Sequence, residues 1–187
     1  MAKELKIGLS VLLSILAILA IVSGVSSFAQ RNFAINAVTT NATDVEASAK
    51  QIAAYTLPDG YMPAMTMKMD GVKVAAFHDK ANTGAILLLQ MPPAATETDI
   101  EQAISRALAR QELNGTVKWQ PSQPKAVTID GKPITVRTAD GKDDQGNAIK
   151  SLRGAFAGKS GKVALFIMGK ASAWTDEKVN AFLGSLK

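Results

Sequence analysis

Residues 65–91, "MTMKMDGVKVAAFHDKANTGAILLLQM", contain three consecutive segments with the patterns of β-strands. Methionines alternate with other residues over 65–70, and the Asp-Gly pair that ends this segment is a hairpin turn signal. Valine and alanine then occupy alternate positions of 72–77. The third segment, 85–91, is apolar at nearly every position, which is typical of a strand covered on both faces. The stretch therefore predicts an antiparallel sheet with a buried central strand.

Helical patterns precede and follow this stretch. Residues 43–46 and 98–101 each match a capping box, with Thr at the first position and Glu at the fourth. Apolar residues at helical spacing follow each box, and Thr175 precedes a third such pattern near the C-terminus. Five more strand-like segments lie between the second and third helices. The predicted fold is therefore α+β, a mainly antiparallel sheet covered by helices in an α/β/α sandwich.

The N-terminal region contains an uncharged segment, residues 7–29, "IGLSVLLSILAILAIVSGVSSFA". As a helix it would be about 34 Å long, enough to cross a hydrocarbon core of about 30 Å. We therefore predict a single transmembrane helix at 7–29. The chain then divides into a cytoplasmic N-terminus (1–6), this helix, a linker (30–42) and an extracytoplasmic domain (43–187).

The basic residues around the segment predict its orientation. Lys3, Lys6 and the amino terminus precede it, whereas Arg31 is the basic residue that soon follows. The positive-inside rule then places the N-terminus in the cytoplasm and the domain outside a cell membrane. A cleaved signal peptide is the alternative, with Ser27 and Ala29 as small residues before the cut. The apolar segment exceeds the usual signal length of about 7–15 residues, which favours an uncleaved anchor.

Four of the seven methionines lie close together, at Met62, Met65, Met67 and Met69. Thioethers are soft ligands that suit Cu(I), and His78 is near in sequence, so a copper site is one hypothesis. However, a strand places alternate residues on one face, and methionine commonly fills cores. Core packing is the favoured interpretation, and Cu(I) binding is the alternative.

A basic segment without acidic residues lies between Gly146 and Ala173. Its five basic residues, on one predicted hairpin, are Lys150, Arg153, Lys159, Lys162 and Lys170. Such a patch would suit anionic lipid headgroups or an acidic partner. Alternatively, these residues are solvent-facing lysines and arginine that protect a sheet edge. We expect no nucleic-acid binding, because an aromatic-basic platform is lacking.

Motifs for catalysis are poorly matched. "GAFAGKS", residues 154–160, has one residue too few for a phosphate loop and precedes a strand rather than a helix, so it predicts a hairpin turn. "DGKDDQGN", residues 140–147, lacks the spacing of a calcium loop and predicts a solvated loop. With no cysteine, thiolate sites and disulfides are excluded. We expect neither enzyme activity nor a cofactor, and a hydrolase assembled only by the fold is a third hypothesis.

Two short motifs resemble the PsbP-like superfamily: "LPDGY" (57–61) after a helix, and "WTDEKVNAFLGSL" (174–186) as the last helix. The resemblance covers residues 42–187 and extends to bacterial proteins with one N-terminal anchor. It implies an extracytoplasmic α/β/α sandwich that is anchored by lipid or a helix. It also implies an accessory or assembly role in a membrane complex. The predicted function is a membrane-anchored, non-catalytic binding module or accessory subunit of a membrane protein complex.

Overall fold

The computed structural model describes residues 35–69, 71–113 and 117–187. In these residues a mainly antiparallel sheet is accompanied by three helices, which confirms the α+β class. The strands are β1 (Ile35–Thr39), β2 (Tyr61–Met69), β3 (Val72–Asp79), β4 (Gly84–Gln90), β5 (Val117–Trp119), β6 (Gln123–Ile129), β7 (Lys132–Asp143), β8 (Ala148–Gly158) and β9 (Gly161–Lys170). The helices are α1 (Ala42–Ile52), α2 (Glu97–Leu113) and α3 (Asp176–Ser185).

The strands form one sheet in the order β1-β2-β3-β4-β9-β8-β7, with β5 and β6 both paired to the outer side of β7. Every pairing is antiparallel, and most join strands that are consecutive in sequence. Two pairings join strands that are not consecutive, β5 with β7 and β4 with β9; the second connects the two halves of the sheet and places Leu87 opposite Phe166. β4 is buried at every position except its last, so the prediction of a covered central strand is confirmed.

Helices cover both faces of the sheet. α2 packs on one face, which we call the α2 face, where its Ile100 and Ile104 join Leu87 and Phe166 in one buried cluster. α1 and α3 pack on the opposite face, called the α1/α3 face, where Phe182 belongs to the second cluster. Because side chains alternate along each strand, neighbouring residues of β4 contribute to different clusters. The predicted arrangement of a sheet between helices is therefore found in the described residues.

The predicted linker, residues 30–42, is wrong in its second half. Ile35–Thr39 forms edge strand β1, in which Val38 lies opposite Met67 of β2. The N-cap of α1 is Asn41, whose side chain accepts from the amides of Thr43 and Asp44 at 3.0 and 3.4 Å. The segment has little hydrophobic alternation, so its sequence does not predict a strand. It is a strand because its backbone groups pair with those of β2.

The cap of α2 also differs from the prediction. Thr96, rather than Thr98, accepts from the amide of Asp99 at 3.2 Å, and the Asp99 carboxylate accepts from the amide and hydroxyl of Thr96 at 2.8 and 2.7 Å. This reciprocal pair is a capping box in which aspartate takes the usual place of glutamate. By contrast, the predicted Thr175 cap of α3 is confirmed, since its side chain accepts from the amide of Lys178 at 3.2 Å.

This capping box should make stability depend on pH. The hydrogen bonds from Thr96 lower the pKa of Asp99 below its usual 3.8, with a further contribution from Lys162. Its stabilisation is therefore complete above the unfolded-state pKa and is lost as pH falls through the lower folded-state pKa. Asp99→Asn should thus reduce the loss of stability between about pH 5 and pH 3, measured by urea unfolding. The matched control is Glu97→Gln in the same turn, and an equal effect of both variants would contradict the assignment.

None of the helices in the described residues is both long and apolar enough to cross a bilayer. The predicted transmembrane helix, 7–29, and the predicted cytoplasmic N-terminus, 1–6, lie outside the described residues.

Candidate functional site

The five basic residues of the predicted patch lie on the β8–β9 hairpin, but they do not share one surface. Arg153 lies opposite Phe166, so it projects from the α2 face. Lys162 and Lys170 are an even number of residues apart on β9, so they are on the same face of the sheet. They are separated by eight residues, which is about 27 Å along a strand. Lys150, three residues before Arg153, projects from the other face. The hairpin therefore distributes these charges over both faces and both ends of the sheet.

Lys159, in the turn between β8 and β9, is engaged by α1. Its backbone amide donates to the carbonyl of Ile52 and its Nζ donates to the carbonyl of Lys50, both at 2.9 Å. These carbonyls belong to the C-terminal turn of α1, where no further helical amide is present to pair with them. The hairpin interpretation of "GAFAGKS" is confirmed, and its lysine serves as a helix cap supplied by another element.

Arg153 lies beside a second arginine on the neighbouring strand. Arg137 of β7 lies directly opposite it, and we call these two residues the arginine pair. Nη2 of Arg153 donates to Oγ of Ser122 at 3.4 Å, and Nε of Arg137 lies 3.6 Å from Oε1 of Glu101 on α2. Burial lowers the pKa of Arg153, the nearby Arg137 lowers it further, and Glu101 partly opposes this change. Within the described ranges, the two guanidinium groups are thus accompanied by one carboxylate, that of Glu101.

The sequence patterns did not identify Arg137, Ser122 or Glu101 as parts of this cluster. Consecutive strands indicated that β7 and β8 pair, but the register that places Arg137 opposite Arg153 depends on the intervening turn. That turn is shorter than the predicted loop 140–147, because β7 continues to Asp143. The position of Arg137 opposite Arg153 therefore could not be predicted from the sequence and is seen only in the structure.

The methionine segment lies largely in the core. Met65 and Met67 are 6% and 3% exposed and belong to the α2-face cluster. Met62 is 39% exposed, opposite His78, and a register shift after Pro63 separates it from the other two. The side chain of Met69 lies outside the described part of the chain. The burial supports the core interpretation of Met65 and Met67.

Two carboxylates that might have suggested chemistry instead organise turns. The Asp143 carboxylate accepts from the amides of Gln145 and Asn147 at 3.0 and 2.7 Å and from the Asn147 side chain at 2.8 Å. Burial by itself would raise the pKa of Asp143, but these bonds and nearby Lys170 lower it overall. Asp79 similarly accepts from the amides of Thr83 and Gly84. Within the described ranges, no three His, Asp or Glu side chains converge as metal ligands would.

A hollow between α3 and the sheet is lined by residues that include Tyr61, Trp174 and Phe182, and its volume is about 20 Å³. That volume holds about one water molecule, whereas small-molecule sites measure roughly 300–1,000 Å³. Burial, followed by nearby Asp79, raises the pKa of Tyr61 to about 12, so its phenol is neutral. The hollow is therefore a packing gap at the edge of the core.

Comparison with known proteins assigns no family to the chain. No protein-family model matches the sequence, and no curated protein matches it.

Proposed function

We propose that this chain is a membrane-anchored extracytoplasmic binding module, an accessory subunit of a membrane protein complex that performs no catalysis. The uncharged segment at 7–29 supports the anchor, and the charge difference around it supports an extracytoplasmic domain. The resemblance to the PsbP-like superfamily supports an accessory role. A mainly antiparallel sheet between helices agrees with the architecture that this resemblance implies.

The observation that carries the proposal is the short spacing between the apolar segment and the sheet. Five residues, 30–34, separate Ala29 from Ile35, the first residue of β1. The six Cα–Cα steps span at most about 22 Å when fully extended. If 7–29 lies in the bilayer, the Ile35 end of β1 is held close to the membrane surface. Proteins embedded in the same membrane would then be the nearest partners.

The polar groups of the domain give the second line of support. The Asp99 and Asp143 carboxylates hold a helix start and a turn, and Lys159 closes the end of α1. Such residues stabilise the scaffold and are already occupied by local partners. The arginine pair, in contrast, has more positive charge than the one carboxylate beside it among the described residues, that of Glu101, can balance. This distribution favours recognition at the surface over reaction in a cavity.

The state of the protein in its own membrane tests the proposal. After gentle detergent extraction, we expect the full chain to migrate as part of an assembly much larger than its detergent-bound monomer, in native gels and by size exclusion. The matched control is the same chain produced in a heterologous membrane, which should migrate as the smaller species. Equal migration of both samples as the small species would contradict an accessory-subunit function.

Cu(I) binding is the second candidate function. Its specific support is that Met62 is 39% exposed and lies opposite His78, so a thioether and an imidazole are neighbours on adjacent strands. Its main difficulty is that Met65 and Met67 are packed among apolar side chains. Leucine substitutions at these two methionines separate the two functions, because leucine keeps the packing and removes the sulfur.

A further inference from the structure

We propose that the arginine pair is an anion-binding site that accepts a side-chain carboxylate from an acidic segment of the partner protein. This inference rests on the proposed function only in taking the partner to be a protein. The site consists of Arg137 on β7, Arg153 on β8, and Ser122 in the link between β5 and β6, with Glu101 of α2 beside them.

The first argument is the unfavourable placement of like charges. Residues directly opposite on antiparallel strands have Cβ atoms about 4.5–5.5 Å apart, and like charges there are destabilising. Arg137 and Arg153 occupy such positions. Glu101 contacts Arg137 at 3.6 Å, but the Glu101 side chain is 65% exposed, so solvent screens this ion pair. An anion between the two guanidinium groups would convert the repulsion into attraction.

The second argument is the incomplete pairing of Arg153. A guanidinium carries five N–H donors, and buried or partly buried charges are normally paired. The half-buried Arg153 makes one long hydrogen bond, to the Ser122 hydroxyl at 3.4 Å. In the described part of the chain, its guanidinium has no carboxylate within 4.0 Å. Most of its donors therefore have no hydrogen-bond partner among the described residues.

The third argument identifies the anion. Arginine forks match the planar geometry of a carboxylate, with two parallel N–H···O bonds. Because Glu101 already supplies one negative charge, the site has a net charge of one positive unit, which a carboxylate monoanion balances. A phosphate dianion would exceed that charge and be repelled by Glu101. Both arginines are only half-buried on the sheet face, so an acidic side chain on another protein can reach them.

Binding of a defined acidic peptide tests the site. The full chain in detergent micelles is titrated into hexaglutamate amide that carries fluorescein at its N-terminus, and anisotropy is recorded at about 0.15 M salt. We expect measurable binding that weakens about tenfold in Arg153→Gln and in Arg137→Gln, because each removes a charge-assisted bidentate contact. Arg153→Lys, which keeps the charge but loses the fork, should also weaken binding. Lys150→Gln, on the same strand but the opposite face, should stay within about twofold of the unchanged chain.

Each contrary result overturns the inference. These results are absence of hexaglutamate binding, an equal loss in Lys150→Gln, no loss in Arg153→Gln, or stronger competition by inorganic phosphate than by acetate at equal ionic strength. Near-ultraviolet circular dichroism checks that the variants are folded. If Arg153→Gln is not folded, the binding of Arg153→Lys tests the role of Arg153 instead. Failure of hexaglutamate binding while the native assembly persists would reject the anion site alone. Loss of the native assembly would reject the proposed function, whatever the peptide result.

Discussion

Replacing Met67 with alanine should lower the free energy of unfolding by about 2–4 kcal/mol, whereas Met67→Leu should cost less than about 1.5 kcal/mol. Met67 is 3% exposed and packs in the α2-face cluster with Val74 and Leu89. Alanine leaves a cavity among these side chains, but leucine has nearly the same volume and stays apolar. Urea denaturation of the detergent-solubilised chain measures the difference.

The matched control for this prediction is Met62→Ala. Met62 is 39% exposed and precedes the register shift in β2, so its truncation should change the free energy of unfolding by less than about 1 kcal/mol. If Met67→Leu costs as much as Met67→Ala, the thioether at 67 has a role that packing does not explain. If Met62→Ala costs as much as Met67→Ala, the difference in burial between the two methionines is contradicted.

Substitutions at Met65 and Met67 also distinguish the core interpretation from the copper hypothesis. Leucine preserves packing but removes the sulfur ligand, so the core interpretation predicts that the Met65→Leu, Met67→Leu double variant stays folded with unchanged Cu(I) uptake. The copper hypothesis predicts stoichiometric uptake by the unchanged chain and its loss in the double variant. Titration of both proteins under reducing conditions, with Met62→Leu as the third sample, gives the answer.

Gly158→Ala should destabilise the domain by about 2–3 kcal/mol. Gly158 lies where the β8–β9 hairpin meets the end of α1. An added Cβ would overlap Cγ2 of Val163 and lie 2.6 Å from the carbonyl oxygen of Ile52. That carbonyl cannot withdraw freely, because it accepts the backbone amide of Lys159 at 2.9 Å. Relief of the overlap therefore requires α1 to move away from the hairpin.

Gly184→Ala is a control in which the same substitution should raise the free energy of unfolding instead of lowering it. Gly184 lies in α3, and a Cβ added there would have no atom within 4 Å beyond its own helix and chain neighbours. Alanine at this position should stabilise the protein by about 0.5–1 kcal/mol, because it reduces the conformational entropy of the unfolded chain and has a higher helix propensity than glycine. A neutral Gly158→Ala variant would contradict the close contact between α1 and the hairpin.

The sequence was most informative where periodicity reflects burial. β2 to β4 followed from alternation and turn chemistry, and Gly71 of the predicted Asp-Gly turn has a positive φ of +74°. β1 was missed because an edge strand is stabilised by its neighbour more than by its own composition. The α2 cap was predicted two residues too late, because Thr98 with Glu101 matches the usual capping box, whereas the box that forms pairs Thr96 with Asp99.

The candidate site was less predictable than the fold. The basic hairpin followed from composition, but its division between two faces depends on strand parity, which separates Lys150 from Arg153. The arginine pair depends on the register of β7 with β8, and a one-residue slip would move Arg137 to the other face. Sequence spacing alone does not contain that register, because the turn at Asp143 is shorter than its polar composition suggested.

The central claim is that residues 7–29 remain in the bilayer and hold the domain on the far side. The chain contains no cysteine, so a single introduced thiol reports its own location. In sealed cells treated with a membrane-impermeant maleimide, Ser160→Cys in the exposed β8–β9 turn should react, and Ala2→Cys should react only after permeabilisation. Intact mass should show residues 1–29 still attached. A mature polypeptide that begins near Gln30, or a Ser160→Cys thiol protected until lysis, would contradict this account.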